Sequence, residues 1–471
     1  MAPLALFVAA LAVVSTQAYE IRKVAPATSG LLATEVLPQA QYSLPLTGKT
    51  TRPKAKQAAL RTLRRRSSNY TAVLAGSDED QEYLTDITVG GQQFKVIVDT
   101  GSSDTWLAQK GFKCYNLTSY PESQSTCAFG PLYDPKSSKT YTLAPNKNFN
   151  ISYGDGEFLT GTAAFETVTV GGLTVTKQEI GVVNSAAWEG DTINSGLMGL
   201  AYPGLTSVYK GDNPDTDGPN TTAQYNPVFL TAIAEKAVAN PYFSVALNRG
   251  SVAAQTNESY DPNLGYLAFG GIAPVNTTGS AVTVPVQGSS FSPSGNKTGY
   301  FFYTVDIGEY IFPGSTAKGL GLTGAGKQAI LDTGTTLNYV PTKLAKAYNA
   351  QFSPPAKFVA DEDTYYVACN ATVPKFDVVI GGKTFTVDAK DQILPSGTNA
   401  KGEELCISGT QDGGDPSDPE TIYILGDVFL HNVVVCLFSL APWPFLSAHF
   451  PSQSTFNVVN NTITLTQRMA Y

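Results

Sequence analysis

The chain has 471 residues, enough to bury more than one core, and a net charge of −8 from 31 basic and 39 acidic residues. Thr/Val alternation broken by turn residues points to a mainly β protein. The composition argues against a nucleic-acid partner, and beyond residue 20 no stretch is long and apolar enough to cross a bilayer as a helix.

Residues 1–18, MAPLALFVAALAVVSTQA, pair a short apolar run with the small Ala18 and read as a signal peptide, although a basic start is missing. Residues 19–66 carry ten Lys plus Arg against two Glu and end in RTLRRR. The net −8 therefore divides into +8 here and −16 from residue 67 onward. A basic block by itself suggests a nucleic-acid arm. Joined to an acidic body through a cleavable basic junction, it reads as a removable, structure-poor pro-segment lying on that body. Acid would weaken that contact and relax the repulsion within the body.

Three segments predict β-hairpins closed by Gly-Gly turns: ITVGGQQFKV from Ile87, VTVGGLTVTK from Val168 and VVIGGKTFTV from Val379. Helices are predicted over NPVFLTAIAEKAV from Asn226 and PTKLAKAYNAQF from Pro341. Residues 210–222 and 409–420 read as surface loops. The β pattern divides into an N-terminal lobe, 67–247, and a C-terminal lobe, 248–471. Each lobe holds an Asp-Thr-Gly loop, VIVDTGSS or AILDTGTT, and later an apolar run ending in Gly, SGLMGLAYPGL or TIYILGDVFL. That order, occurring twice, predicts duplicated halves about an approximate two-fold axis.

In each tetrad the apolar strand delivers an aspartate to a turn. Glycine lets the backbone turn tightly and admits close approach. Threonine offers a hydroxyl to the opposite copy, and the Ser or Thr after Gly can fix the carboxylate. Two such loops on a two-fold axis bring two carboxyls together, where both cannot ionise and one proton is shared. One group is then a base and the other an acid over the same water.

Other chemistries lack their parts. His431 and His449 are not in metal-ligand spacing, no G-x-S-x-G elbow occurs, GGKT at 381–384 lacks the upstream Gly of a P-loop, and a glycosidase does not ask for duplicated D-T-G loops. No metal or cofactor is implied. Cys114–Cys127 and Cys369–Cys406 are close enough in sequence to pair in a secretory compartment, leaving Cys436 in VVVCLF as an inert buried thiol. Sequons at Asn69, Asn116, Asn150, Asn220, Asn257, Asn276, Asn296, Asn370 and Asn460 mark the same route.

From Tyr83 onward the chain resembles the pepsin family of aspartic endopeptidases, of the secreted fungal type. The resemblance rests on both tetrads, Trp106 seven places after Asp99, YGDG at 153–156, SGLMGLAYP and ILGDVF. It implies a bilobal pepsin-like aspartic protease fold with a central cleft, and a zymogen layout. It further implies Asp99 and Asp332 as the catalytic dyad, a grip between Thr100 and Thr333, support from Gly101, Ser102, Gly334 and Thr335, and a flap carrying Tyr153, Gly154 and Asp155 over substrate, with Tyr153 against Trp106. Asp104 stands where many relatives carry Asn and is expected as a structural exchange. Asp155 and Glu157 make the flap acidic and suggest acceptance of Lys or Arg beside the scissile bond; for Glu157 a solvated turn carboxylate is the competing account. The expected protein is a monomeric, secreted acid endopeptidase acting on polypeptides, inhibited by its own propeptide, without a membrane anchor; a vacuolar destination stays open. An inactive relative serving as a binding or inhibitor protein is the alternative.

Overall fold

The structure, a computed structural model, describes residues 42–49, 82–153, 156–238, 240–250, 260–288, 299–315, 327–360, 362–399, 401–417, 421–438 and 461–471. It is mostly β with a few short helices. Gly90–Gly91, Gly171–Gly172 and Gly381–Gly382 all have positive φ, between 57° and 84°. Two successive left-handed residues give a turn whose twist matches the strands it joins, and glycine adopts that conformation without strain. The three predicted hairpins result: Leu84–Val89 with Gln92–Asp99, Phe158–Val170 with Leu173–Ala187, and Phe376–Ile380 with Lys383–Val387.

The N-terminal half is a strongly connected sheet built on Thr142–Ser152, Phe158–Val170, Leu173–Ala187, Thr105–Tyr115, Gln92–Asp99 and Leu84–Val89. The C-terminal half has a seven-stranded sheet, in which Thr304–Ile311, Gln328–Leu331, Ile424–Leu425 and Asn338–Val340 are successive neighbours, and a smaller four-stranded sheet. Between them runs a layer in the order Tyr42–Lys49, Tyr260–Phe269, Tyr242–Leu247, Val433–Phe438, Thr462–Arg468, Thr277–Pro285. Buried Phe243, Val245, Leu267, Phe269, Val433, Val435, Ile463 and Leu465 make it part of the main core. The expected lobe boundary at 247/248 falls inside this layer, between two of its strands.

Several expectations change. The basic segment 19–66 is not structure-poor throughout. YSLPLTGK, residues 42–49, is a strand pairing with Tyr260–Phe269 and, through Thr47, with Leu84. Leu44 and Leu46 alternate into the core, a period-2 signal that the basic residues around it hide. Within 409–420, Thr410–Asp412 is a buried strand parallel to Asn338–Val340 and not a surface loop. Both predicted helices exist in shortened form, Val228–Ala234 and Thr342–Asn349; Lys236, at φ 58°, terminates the first. Among the described residues no helix is long and apolar enough to cross a membrane. Residues 1–41 and 50–81, which hold the expected signal peptide and most of the pro-segment, lie outside the described residues.

Candidate active site

Each Asp-Thr-Gly loop sits at the end of a buried strand. Gln92–Asp99 lies parallel to Gly196–Gly199, and Gln328–Leu331 lies parallel to Ile424–Leu425. The apolar runs noted in the sequence are therefore the partners of the Asp-bearing strands, and their terminal glycines admit the crossing loops. A Cβ on Gly199 would stand 2.6 Å from the Ser103 backbone, and one on Gly426 2.1 Å from the Thr335 carbonyl. The loops are then pinned: Leu200 N–H donates to Asp99 O, Ala201 N–H to Ser102 O, Asp427 N–H to Thr335 O and Val428 N–H to Thr336 O.

The two carboxyls have matching surroundings. Asp99 Oδ1 accepts from Gly101 N–H at 2.7 Å, and Oδ2 accepts a short bond from the Ser102 hydroxyl. Asp332 Oδ1 accepts from Gly334 N–H at 2.9 Å, and Oδ2 from the Thr335 hydroxyl at 2.7 Å. Between the loops the threonines exchange bonds. Thr100 N–H donates to Thr333 Oγ1 (3.1 Å) and Thr333 N–H to Thr100 Oγ1 (3.0 Å). Each hydroxyl donates across the axis, Thr100 to Leu331 O (2.9 Å) and Thr333 to Val98 O (2.8 Å). Four polar groups that would be stranded in a buried position are satisfied by the opposite half.

Asp99 and Asp332 are both buried. Burial, and then the Asp332 charge, hold the Asp99 carboxyl well above the usual carboxylate range; burial also raises Asp332, against the bonds from Thr335 and Gly334. The pair thus keeps a proton to higher pH than a solvated carboxyl. Gly334 approaches so closely that a Cβ there would stand 2.5 Å from Asp99 Oδ1.

Residues 82–441 match the family model for eukaryotic aspartyl proteases. The chain belongs to the eukaryotic aspartyl protease family. A probable aspartic-type endopeptidase of Aspergillus fumigatus is 39% identical over 394 residues, covering 83% of this chain and 84% of that protein. Rhizopuspepsin-1 of Rhizopus niveus is 31% identical over 424 residues, 85% of this chain and 91% of its own. Cathepsin E of Mus musculus is 31% identical over 362 residues, 75% and 76% of the two chains. The crystal structure of an aspartic proteinase from Irpex lacteus superposes with a TM-score of 0.55 at 20% identity, covering 90% of this chain and 97% of that one, and shares the bilobal fold.

Within this family frame, Tyr153 and Trp106 meet: the indole Nε1–H donates to the Tyr153 hydroxyl at 2.7 Å. Both are buried in an aromatic group the sequence did not mark. Trp188 packs edge-on against Trp106 (5.1 Å between ring centroids) and Tyr153 (5.9 Å) and stacks on Phe129. No local motif announces Trp188 or Phe129; only the sheet brings them there. Gly154 and Asp155 lie outside the described residues. Glu157 fits neither account of it: it is buried, and its Oε1 accepts from Glu189 N–H at 2.7 Å, so it ties the Tyr153 hairpin to the Trp188 segment.

Asp104 is buried. Its oxygens accept from Ser207 N–H (2.9 and 3.0 Å) and the Tyr225 hydroxyl (2.7 Å), and burial, opposed by these bonds, pushes its carboxyl up to about 6. Cys114 is joined to Cys127, and Cys369 to Cys406. Cys436 is a buried thiol that burial pushes up to about 12. Asn116 and Asn150 are half-buried, and Asn220, Asn276 and Asn370 are exposed; Asn69, Asn257, Asn296 and Asn460 lie outside the described residues.

Proposed function

We propose that the protein is a secreted acid endopeptidase, made as a zymogen, in which Asp99 and Asp332 activate a water molecule against the scissile peptide carbonyl of an extended polypeptide. The observation that carries the reading is the exchange of bonds between Thr100 and Thr333, which joins the loops that carry two buried carboxyls. The ionised carboxyl takes a proton from water as its oxygen attacks the carbonyl carbon. The protonated carboxyl supplies its proton to the developing oxyanion, giving a neutral tetrahedral diol. Collapse breaks the C–N bond, and a proton passes to the leaving nitrogen. Aspartic proteases are a general example of such proton sharing, so the arrangement is not peculiar to this chain. No acyl-enzyme is needed.

Bonds from Gly101, Ser102, Gly334 and Thr335 fix the carboxyl planes before substrate arrives, which limits reorganisation during the reaction. The Tyr153 hairpin, braced on Trp106, is the flap that closes over the peptide and excludes water. An acid working range follows from the direction of both shifts: as pH rises through the titration of the pair, its acid is lost. The acidic flap reading now rests on Asp155 alone. An Asp155→Ser chain that cleaves beside Lys as readily as the parent would sink it.

The leader pattern, the sequons and the paired cysteines support secretion. The basic segment 19–66 is the inhibitor, and its strand Tyr42–Lys49 anchors it to the interlobe layer. The deciding experiment is digestion of unfolded protein by the purified precursor from about pH 2.5 to 7, with and without pepstatin, beside Asp99→Asn. Acid-dependent, pepstatin-blocked cleavage that the variant lacks is expected. Absence of cleavage after the basic segment is removed would favour an inactive binding protein.

A further inference from the structure

Away from the dyad, the described residues include a second buried group of polar and charged side chains, where the halves meet. His431 follows the short helix Asp427–Leu430. Its Nδ1 lies 3.0 Å from Asp391 Oδ1 and its Nε2 lies 2.5 Å from the Tyr83 hydroxyl; all three residues are buried. Asp391 also accepts from Arg249 Nε (2.6 Å), Arg249 Nη2 (2.7 Å) and Asn432 Nδ2 (2.7 Å), the bidentate pattern of an ionised carboxylate. Burial would raise that carboxyl, yet His431 and Arg249 hold it at about 2.

Proton counting fixes the state of the imidazole. The Tyr83 hydroxyl stands 2.8 Å from the Asn248 carbonyl oxygen, which can only accept, so the single phenolic proton is committed there. The bond at Nε2 must then be donated by the ring. The bond at Nδ1 must also be donated by the ring, because the carboxylate has no proton to give. Only the doubly protonated imidazolium donates from both nitrogens.

Tyr83 continues the connection toward the dyad. Its carbonyl accepts from Val98 N–H at 2.8 Å, and the Val98 carbonyl receives the Thr333 hydroxyl, one residue before Asp99. We propose that His431 is a positioning residue for the carboxyl pair, whose imidazolium form latches the C-terminal half to the backbone that presents Asp99. The positioning role rests on the dyad reading above; the latch does not. Losing the Nε2 proton leaves one phenolic proton for two acceptors, so one of the bonds from Tyr83 fails. The latch is complete only while the ring carries both protons.

The surrounding charges act in both directions. Asp391 and Asp388, the latter 3.6 Å from Arg249, favour the cation. Arg249 and Arg468 oppose it; Arg468 also donates to the Leu247 carbonyl and to Asn248 Oδ1, and stacks on Tyr471. Lys390 donates to the Tyr471 carbonyl, Glu82 accepts from Asn194, and Asp427 begins the helix that His431 caps. The shortest contacts of the ring are those to Asp391 and Tyr83.

The test uses the full chain carrying Asp99→Asn, which cannot digest itself. Ring-labelled histidine gives two sets of resonances, from His431 and His449, assigned with His449→Gln. His431 should show the imidazolium signature near pH 4.5, with spectra also taken at about pH 8. A double-mutant cycle of Tyr83→Phe and His431→Leu should give a coupling of about 2–4 °C in melting temperature in acid that vanishes once the ring is neutral. His431→Arg, a donor at every pH, should remove the pH dependence of that coupling. In the active chain, Tyr83→Phe should lower kcat about tenfold with KM within about twofold. A neutral ring in acid, or equal coupling at both pH values, overturns the latch. An unchanged kcat in Tyr83→Phe overturns the positioning role. Should His431→Leu not fold, the resonances and Tyr83→Phe decide alone. If the chain proves not to be a peptidase, the resonance and melting measurements still decide the latch.

Discussion

The Gly334→Ala substitution adds one carbon where Asp99 Oδ1 is 2.5 Å away. Displacing that oxygen by an ångström is expected to cost about a hundredfold in kcat while leaving the chain folded, measured as kcat beside a melting curve. Asp104 makes a prediction of opposite character, about stability and not rate. Its folded carboxyl titrates at about 6 against 3.8 for the free group, so between these values the folded protein holds a proton that the unfolded chain has released. The stabilisation is fully present below 3.8 and is lost as pH rises through about 6, an order of about 3 kcal/mol. Asp104→Asn should flatten this decline, seen as melting temperature between about pH 4 and 7. Asn150 makes a third prediction. Its amide donates to Pro214 O and Asp217 Oδ2, so both of its hydrogens are used, whereas at Asn116 the bonds are to the carbonyl oxygen. Glycan mapping of the secreted protein should find Asn116 modified and Asn150 bare. What a reader of the sequence can see at this scale depends on distance along the chain. The carboxylate supports lie two or three residues from each Asp and announce themselves, whereas Ser207 and Tyr225 reach Asp104 across more than a hundred residues.

For elements, the readable signals were those with a local physical cause. The Gly-Gly turns impose left-handed backbone at fixed places, and the Asp-bearing strands combine an apolar run with a tight loop. Hidden were elements whose burial depends on a distant partner. Tyr42–Lys49 becomes a strand because Tyr260–Phe269 offers it an edge, and Thr410–Asp412 is buried because Asn338–Val340 lies beside it. Leu46→Asp should destabilise the precursor by about 2–3 kcal/mol from lost apolar burial alone, read as denaturant midpoint. A chain lacking residues 1–66 should not respond to events at this strand. The Cys114–Cys127 bond closes a loop spanning 13 residues, and its removal by paired Ala substitutions should cost about 3 kcal/mol.

Across the whole molecule, the two-fold repeat of Asp loop and apolar-Gly strand made the bilobal plan legible before any coordinates. The layer between the halves was not legible, because its strands come from four separate stretches of the C-terminal half, one at the end of the N-terminal half and one from the basic segment. That layer and the threonine exchange make the junction a place of assembly as much as a boundary. Thr100 and Thr333 each complete bonds that the other half leaves open, so neither half contains a finished site. The consequence is kinetic. If residues 42–250 and 251–471 were prepared as separate chains and mixed at equal, low concentration, activity is expected to rise with the square of that concentration, whereas dilution of the intact chain changes it only in proportion. The covalent link between the halves thus acts as a local concentration, and its value is the molarity at which the mixed halves match the single chain.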